Sequence, residues 1–246
     1  MALKGRLTKD QFGLTMPVTA AAYVEKPPYW RGANWYTFEY ETDPEIASAI
    51  VPEQLTLTDP STARLIFAEY EWSTGGPYME ILQTVDVEYK GEQCVFFTQA
   101  GVSQSIALMA GREGYGFPKK VGHITFARHE DLVGMYYERP QGLRLITGVF
   151  RGISPVEPLP ESSIIKGITL RVIQSPEPNV PYSLAELVKG ELEIRPKEAW
   201  VGEGNCTYSG ISELDPWHQL PVRKNLRCTW MKLDINLAGA AIIETL

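Results

Sequence analysis

Apolar and polar positions alternate along much of this chain. Residues 35–42, WYTFEYET, interleave aromatic and polar side chains, and ARLIFAEYEW (63–72), YMEILQTVDVEYK (78–90) and EQCVFFTQ (92–99) extend the pattern. A period of two sends successive side chains to opposite faces of a strand, and the aromatic and β-branched content favours the same state. Lys90-Gly91-Glu92 reads as the turn joining the last two runs. HITFARH (123–129), VGMYYER (133–139), LRLITGVF (143–150), IIKGITLRVI (164–173) and RCTWMKLDINLAGAAIIETL (227–246) predict further strands.

Three segments depart from this rhythm. Asp43-Pro44-Glu45 combines an N-cap, a proline at the first helical position and acid in the first turn, so IASAIV is expected to be helical up to Pro52. SQSIALMAGR (103–112) predicts a second helix, ended by Gly111, Gly114 and Gly116. Ser183 with Glu186 three residues on is the capping-box spacing, which predicts a third helix from Ser183 to Val188. The proline-rich passages at 154–160 and 176–181 read as loops within one domain. The expectation is a single domain over residues 1–246 of class α+β, β-rich, with an antiparallel β-barrel or cone, surrounding strands and a few short helices.

Composition narrows the function. The chain of 246 residues is 44% hydrophobic, enough for a core, and carries a net charge of −7. An acidic chain whose basic residues do not cluster repels phosphate backbones, so no nucleic-acid partner is expected. MALKGRLTKDQFG has no apolar core of signal-peptide length and no later run is long enough to span a membrane, so a cytoplasmic protein without a membrane partner is expected. Cys94, Cys206 and Cys228 form no C-x-x-C pair and are expected to be reduced, Cys94 as a small buried hydrophobe.

Several familiar chemistries fail on spacing. GVSQS (101–105) has Ser105 where a nucleophile elbow needs its second glycine, so Ser103 suits a helix cap better than a hydrolase. GREGYGFPKK (111–120) lacks the spacing of a phosphate-binding loop. His123, His129 and His218 are scattered, and no metal site is expected. What remains is Lys119-Lys120, introduced by Tyr115, Gly116, Phe117 and Pro118.

Lysine is a nucleophile only when neutral, and with an ordinary pKa about one amine in two thousand is neutral at pH 7. Burial and a second cation both favour the neutral form. Adjacent strand residues point to opposite faces, so Lys120 would act from a distance and burial of Lys119 is expected to be the larger effect.

GREGYGFPKKVG resembles the signature segment of the acetoacetate decarboxylase family. The resemblance extends to YETD followed by VPEQL (40–55), to Tyr78-Met79-Glu80 with Gln83, to Glu198-Ala199-Trp200 with Gly202, and to Leu220-Pro221-Val222. It implies Lys119 as Schiff-base lysine, Lys120 as its electrostatic neighbour and Glu80 as acid/base. Tyr78, Gln83, Tyr115 and Phe117 would contact substrate. The family's arginine before Y-x-T-D is replaced by Gly32-Ala33-Asn34-Trp35, which leaves Arg31 as the nearest candidate cation. The family also implies no dissociable cofactor, a small keto acid as substrate and a homo-oligomer.

The first reading is therefore a lysine-iminium lyase, a carboxy-lyase, that decarboxylates β-keto acids. The alternatives are aldolase-dehydratase or hydratase chemistry on pyruvate-like 2-oxo acids with the same lysine, and a non-catalytic barrel that binds small molecules.

Overall fold

Because nearly every apolar run is short and alternating, the chain folds mainly as strands. The computed structural model describes residues 2–24 and 26–246. Its first half holds β1 (Tyr29–Glu41), β2 (Thr56–Leu57), β3 (Thr62–Tyr70), β4 (Trp72–Ser73), β5 (Tyr78–Tyr89), β6 (Glu92–Val102) and β7 (Lys119–Val121). The second half holds β8 (His123–His129), β9 (Leu132–Glu138), β10 (Arg144–Pro155), β11 (Ser163–Gln174), β12 (Tyr182–Tyr208) and β13 (Lys224–Thr245). Lys90 and Gly91, at φ 51° and 82°, form the expected tight turn between β5 and β6.

Hydrogen bonding runs β6-β5-β3-β1-β13-β12-β11, and β11 returns to β6 through Gly167–Val95 and Ile168–Phe96. The seven strands thus close into a ring. Its closing seam is parallel, whereas a wholly antiparallel barrel was expected. β12 is long enough to serve two neighbours: residues 182–194 pair with β11, and residues 200–208 pair with β10, which leads on to β9 and β8. Register shifts against β13 at Leu187/Val188, Glu191/Leu192 and Pro196/Glu198 bend β12 between these tasks.

The first expected helix is present as α1 (Pro44–Ser48), capped by the Asp43 carboxylate, which accepts from the Glu45 and Ile46 amides. The second is α2 (Ser105–Met109), which continues as a π-turn over Ala110–Gly114, so Gly111 lies inside the helical run and does not end it. Its cap is Gln104, not Ser103; the Ser103 hydroxyl accepts from the Met79 amide.

The third expected helix is absent. Residues 183–188 begin β12, bonded to β11 on one side and β13 on the other. Glu186 caps nothing; it is buried and pairs with Arg171 at 2.7 Å. A capping box is a local preference of about 1 kcal/mol, and two flanking ladders outweigh it.

β5 separates two apolar clusters. Tyr78 and Leu82 belong to one, Ile81, Val85 and Val87 to the other. Gln83, expected at the substrate, lies three residues from Glu80 and therefore faces the second cluster. Its Nε2 donates to the Tyr208 hydroxyl and the Trp217 carbonyl, both at 2.8 Å, and its Oε1 accepts from Thr98 at 3.0 Å. The Tyr40 and Tyr208 hydroxyls are 2.7 Å apart in the same network. Gln83→Leu is expected to leave these buried groups unpaired and to destabilise the protein by about 1–3 kcal/mol. Thermal unfolding should show it as a drop in Tm of roughly 2–4 °C per kcal/mol. An unchanged Tm would contradict the structural role.

Candidate active site

The site is built across β6. Glu80 on β5 lies opposite Val102, and Lys119 on β7 lies beside Ala100 in a parallel pairing. The two long side chains meet above β6, where the small Ala100 leaves them room. Lys119 Nζ is 2.8 Å from Glu80 Oε1, with the two residues 7% and 3% exposed. Among the described residues no other donor reaches that oxygen.

The glycine-rich turn sets the lysine's aim. A Cβ on Gly111 would stand 2.7–2.8 Å from Lys119 Cδ and Cε, so the position must be bare for the stem to pass. Gly116 has φ +73°, and a Cβ there would strike the Arg171 backbone and Cβ. Arg112 donates to the Lys119 carbonyl at 3.1 Å, and Phe117 packs edge-on to Phe97. The Phe117 and Tyr78 rings lie 5.2 and 5.8 Å from Lys119 Nζ.

Lys120 turns the other way. Its Nζ contacts the Leu214 carbonyl and pairs with Asp215 at 3.2 Å, and Asp215, 2% exposed, also pairs with Arg139 at 2.6 Å. The second cation expected beside Lys119 is thus on the opposite face and neutralised. Burial is the feature that remains.

Glu80 sits among phenols. Trp30 Nε1 donates to the Tyr78 hydroxyl at 2.9 Å, and Trp35 Nε1 donates to the Tyr70 hydroxyl at 3.2 Å. An indole N–H only donates, so each phenol keeps its own proton free to face the carboxylate. Burial first, then the Glu80 charge, pushes both phenols well above the ordinary tyrosine range.

Lys119 and Glu80 line a cavity of about 480 Å³. Tyr78, Tyr115 and Phe117 line it too. Aromatic and aliphatic residues from β1, β5, β6, β12 and β13 line it, and residues 14–28 contribute Leu14, Tyr23, Val24, Lys26, Pro27 and Pro28. Arg31 is not there. Gly32 at φ +61° and the shift in register between Trp30 and Ala33 turn Arg31 to solvent, over the Tyr29 ring and 3.3 Å from Asn236 Oδ1. The guanidinium at the cavity is that of Arg171, with Glu113 and Tyr23. An arginine inside the apolar run of β11, facing a glutamate across the β11–β12 pair, was the only sequence signal for it.

The other candidates lie elsewhere. Ser103 is exposed and outside the cavity. The three cysteines are free and buried, and burial pushes the Cys206 thiol up to about 12. No group of three His, Cys, Asp or Glu that could hold a metal occurs among the described residues. No helix among them is long and apolar enough to cross a membrane.

A sequence profile of acetoacetate decarboxylase matches residues 15–245. The chain belongs to the acetoacetate decarboxylase family. An acetoacetate decarboxylase from Bordetella avium is 32% identical over 235 residues, covering 93% of each chain. The solved acetoacetate decarboxylase of Legionella pneumophila has the same fold, with a TM-score of 0.84 at 23% identity over 99% of each chain. So does the enduracididine biosynthesis enzyme MppR, complexed with the condensation product of pyruvate and imidazole 4-carboxaldehyde, at a TM-score of 0.81 and 18% identity over 97% and 98% of the chains. The curated relatives of this family member are decarboxylases, which makes it an enzyme of the lyase kind.

The phenols give a pH prediction. Tyr70 and Tyr78 stay protonated in the fold, while in the unfolded chain they ionise near pH 10. Raised folded values mean their contribution is full below about pH 10 and is lost as pH rises beyond it. Absorbance at the phenolate band should therefore rise in two steps, exposed tyrosines first and the buried ones only together with loss of the fold.

Proposed function

We propose that this family member decarboxylates β-keto acids through an iminium on Lys119. The observation that carries the reading is a buried lysine amine 2.8 Å from a buried carboxylate, both lining an apolar cavity. The proton on this pair can pass to Glu80 Oε1, leaving a neutral amine. That amine adds to the ketone carbon, and Glu80 returns the proton to the departing hydroxyl, so that water leaves and an iminium forms. The bond to the carboxylate then breaks, its electron pair moves into the iminium and carbon dioxide departs. Glu80, left as a carboxylate by the loss of water, takes up a proton from solvent and passes it to the resulting enamine carbon. Water adds to the iminium and releases ketone and free Lys119.

The apolar wall favours the step in which charge disappears from the carboxylate. A second reading, aldol condensation of a 2-oxo acid followed by dehydration, uses the same amine. It is supported by the Tyr78 phenol next to Glu80 and by the product held in MppR. Homo-oligomeric assembly belongs to the proposal as well: Ile164, Val172 and Ile242 are exposed apolar strand residues that a second copy would cover.

Sodium borohydride with a keto acid tests the reading. The expected result is a reduced adduct mapped by peptide mass to Lys119 and absent in Lys119→Ala. Glu80→Gln is expected to lower kcat by about 10²–10⁴-fold. Carbon dioxide from acetoacetate favours the first reading, and an enone from pyruvate and an aldehyde favours the second. An unchanged mass with every keto acid would leave a binding barrel without catalysis.

A further inference from the structure

We propose that the substrate is an extended keto acid, with an apolar chain running from the carbonyl and a neutral hydrogen-bond acceptor at its far end that binds Arg171. The inference rests on the Schiff-base reading and deepens it. Its first basis is size. At about 30 Å³ of liquid volume per water-sized group, the 480 Å³ cavity holds about sixteen non-hydrogen atoms, and acetoacetate has about seven. The surplus space is apolar, walled by Leu82, Phe97, Ile106, Leu192, Ile235 and Leu237. Such a wall gives water few partners and gives a hydrocarbon chain full burial.

The second basis is the polar group that interrupts this wall. Arg171 Nη1 donates to Glu186 at 2.7 Å, and Glu186 is 4% exposed, so the guanidinium is held in place from behind. Gly116 packs against the Arg171 Cβ and fixes the stem. That ion pair engages Nη1, and Nε is buried without a partner among the described residues, so the Nη2 N–H groups are the donors left for an acceptor. Glu113, which accepts from the Thr15 hydroxyl, and Tyr23 complete this end. With Glu186 paired to Arg171 and Glu113 at the same end, the guanidinium charge is already met. A neutral hydroxyl or carbonyl suits that balance better than a second carboxylate.

The test compares kcat/KM for acetoacetate, 3-oxooctanoate and 8-hydroxy-3-oxooctanoate on the unaltered protein. Each buried methylene is worth about fourfold, so the eight-carbon acid, with four more methylenes, should exceed acetoacetate by roughly 250-fold. A hydrogen bond to the guanidinium should add about tenfold for the hydroxylated acid. The double variant Arg171→Met/Glu186→Gln removes the ion pair together and should abolish the hydroxyl advantage while keeping the chain-length ratio. Should that variant fail to fold, Arg171→Lys keeps the charge, loses the fork and should shrink the same advantage. A series that is flat or falls with length overturns the inference, as does a hydroxyl advantage that survives both variants. If acetoacetate reacts best, only the substrate class falls; if no keto acid forms an adduct on Lys119, the Schiff-base reading falls and takes this one with it.

Discussion

The contact between Lys119 Nζ and Glu80 Oε1 is the constraint around which this fold is arranged. Taking a carboxylate and an amine out of water costs several kcal/mol per ion, and each group here has little but the other in return. The surroundings make sense as ways of keeping them together. β7 is only three residues long, yet its parallel pairing with β6 places Lys119 beside Ala100, the small residue over which the side chains meet. Gly111 clears the path of the lysine stem, and Phe117 closes over it. A buried ion pair is weak evidence for stability. Here it lines an apolar cavity, and in the proposed mechanism that cost serves the chemistry.

The carboxylate is also influenced through two tryptophans, which act on the phenols beside it. Trp30 and Trp35 supply donors to Tyr78 and Tyr70, and a hydroxyl that has accepted still has its proton to give. Two phenols next to Glu80 are thereby left with a proton to offer it, and the Tyr78 ring also lies 5.8 Å from the Lys119 amine. In the proposed mechanism Glu80 changes protonation at least three times per turnover. Two neighbouring donors that remain protonated lessen the penalty each time the carboxylate becomes charged, and they do so without competing for the lysine.

Much of this was legible in the sequence, and the failures have physical causes. Alternation identified the strands, and parity alone said that Lys119 and Lys120 part company; the structure adds that Asp215 occupies Lys120. The same parity argument, applied to β5, would have removed Gln83 from the cavity, since an offset of three changes face. The capping-box spacing at Ser183 and Glu186 misled because local preference competes with two ladders that bind residues distant in sequence. Arg31 misled because a register shift and a left-handed glycine at position 32 redirect it. Arg171 could not be placed in the cavity without knowing which strands close the ring. The turn, the glycine and the aromatic ring that flank Lys119 lie within nine residues and were visible together, whereas its partner Glu80 comes from a distant strand.

That division between local and distant information also explains why stability and chemistry can share one strand. On β5, Glu80 and Tyr78 face the cavity, while Ile81 and Gln83 face the packed interior, where Gln83 binds Tyr208, Trp217 and Thr98. A slip of one residue would exchange the two sets, burying Glu80 among hydrocarbons and sending Gln83 to the lysine. The Gln83 network therefore does more than satisfy its own atoms. By giving one register a full complement of buried hydrogen bonds, it fixes which face Glu80 occupies, and so holds the carboxylate within reach of the amine from the opposite side of the sheet.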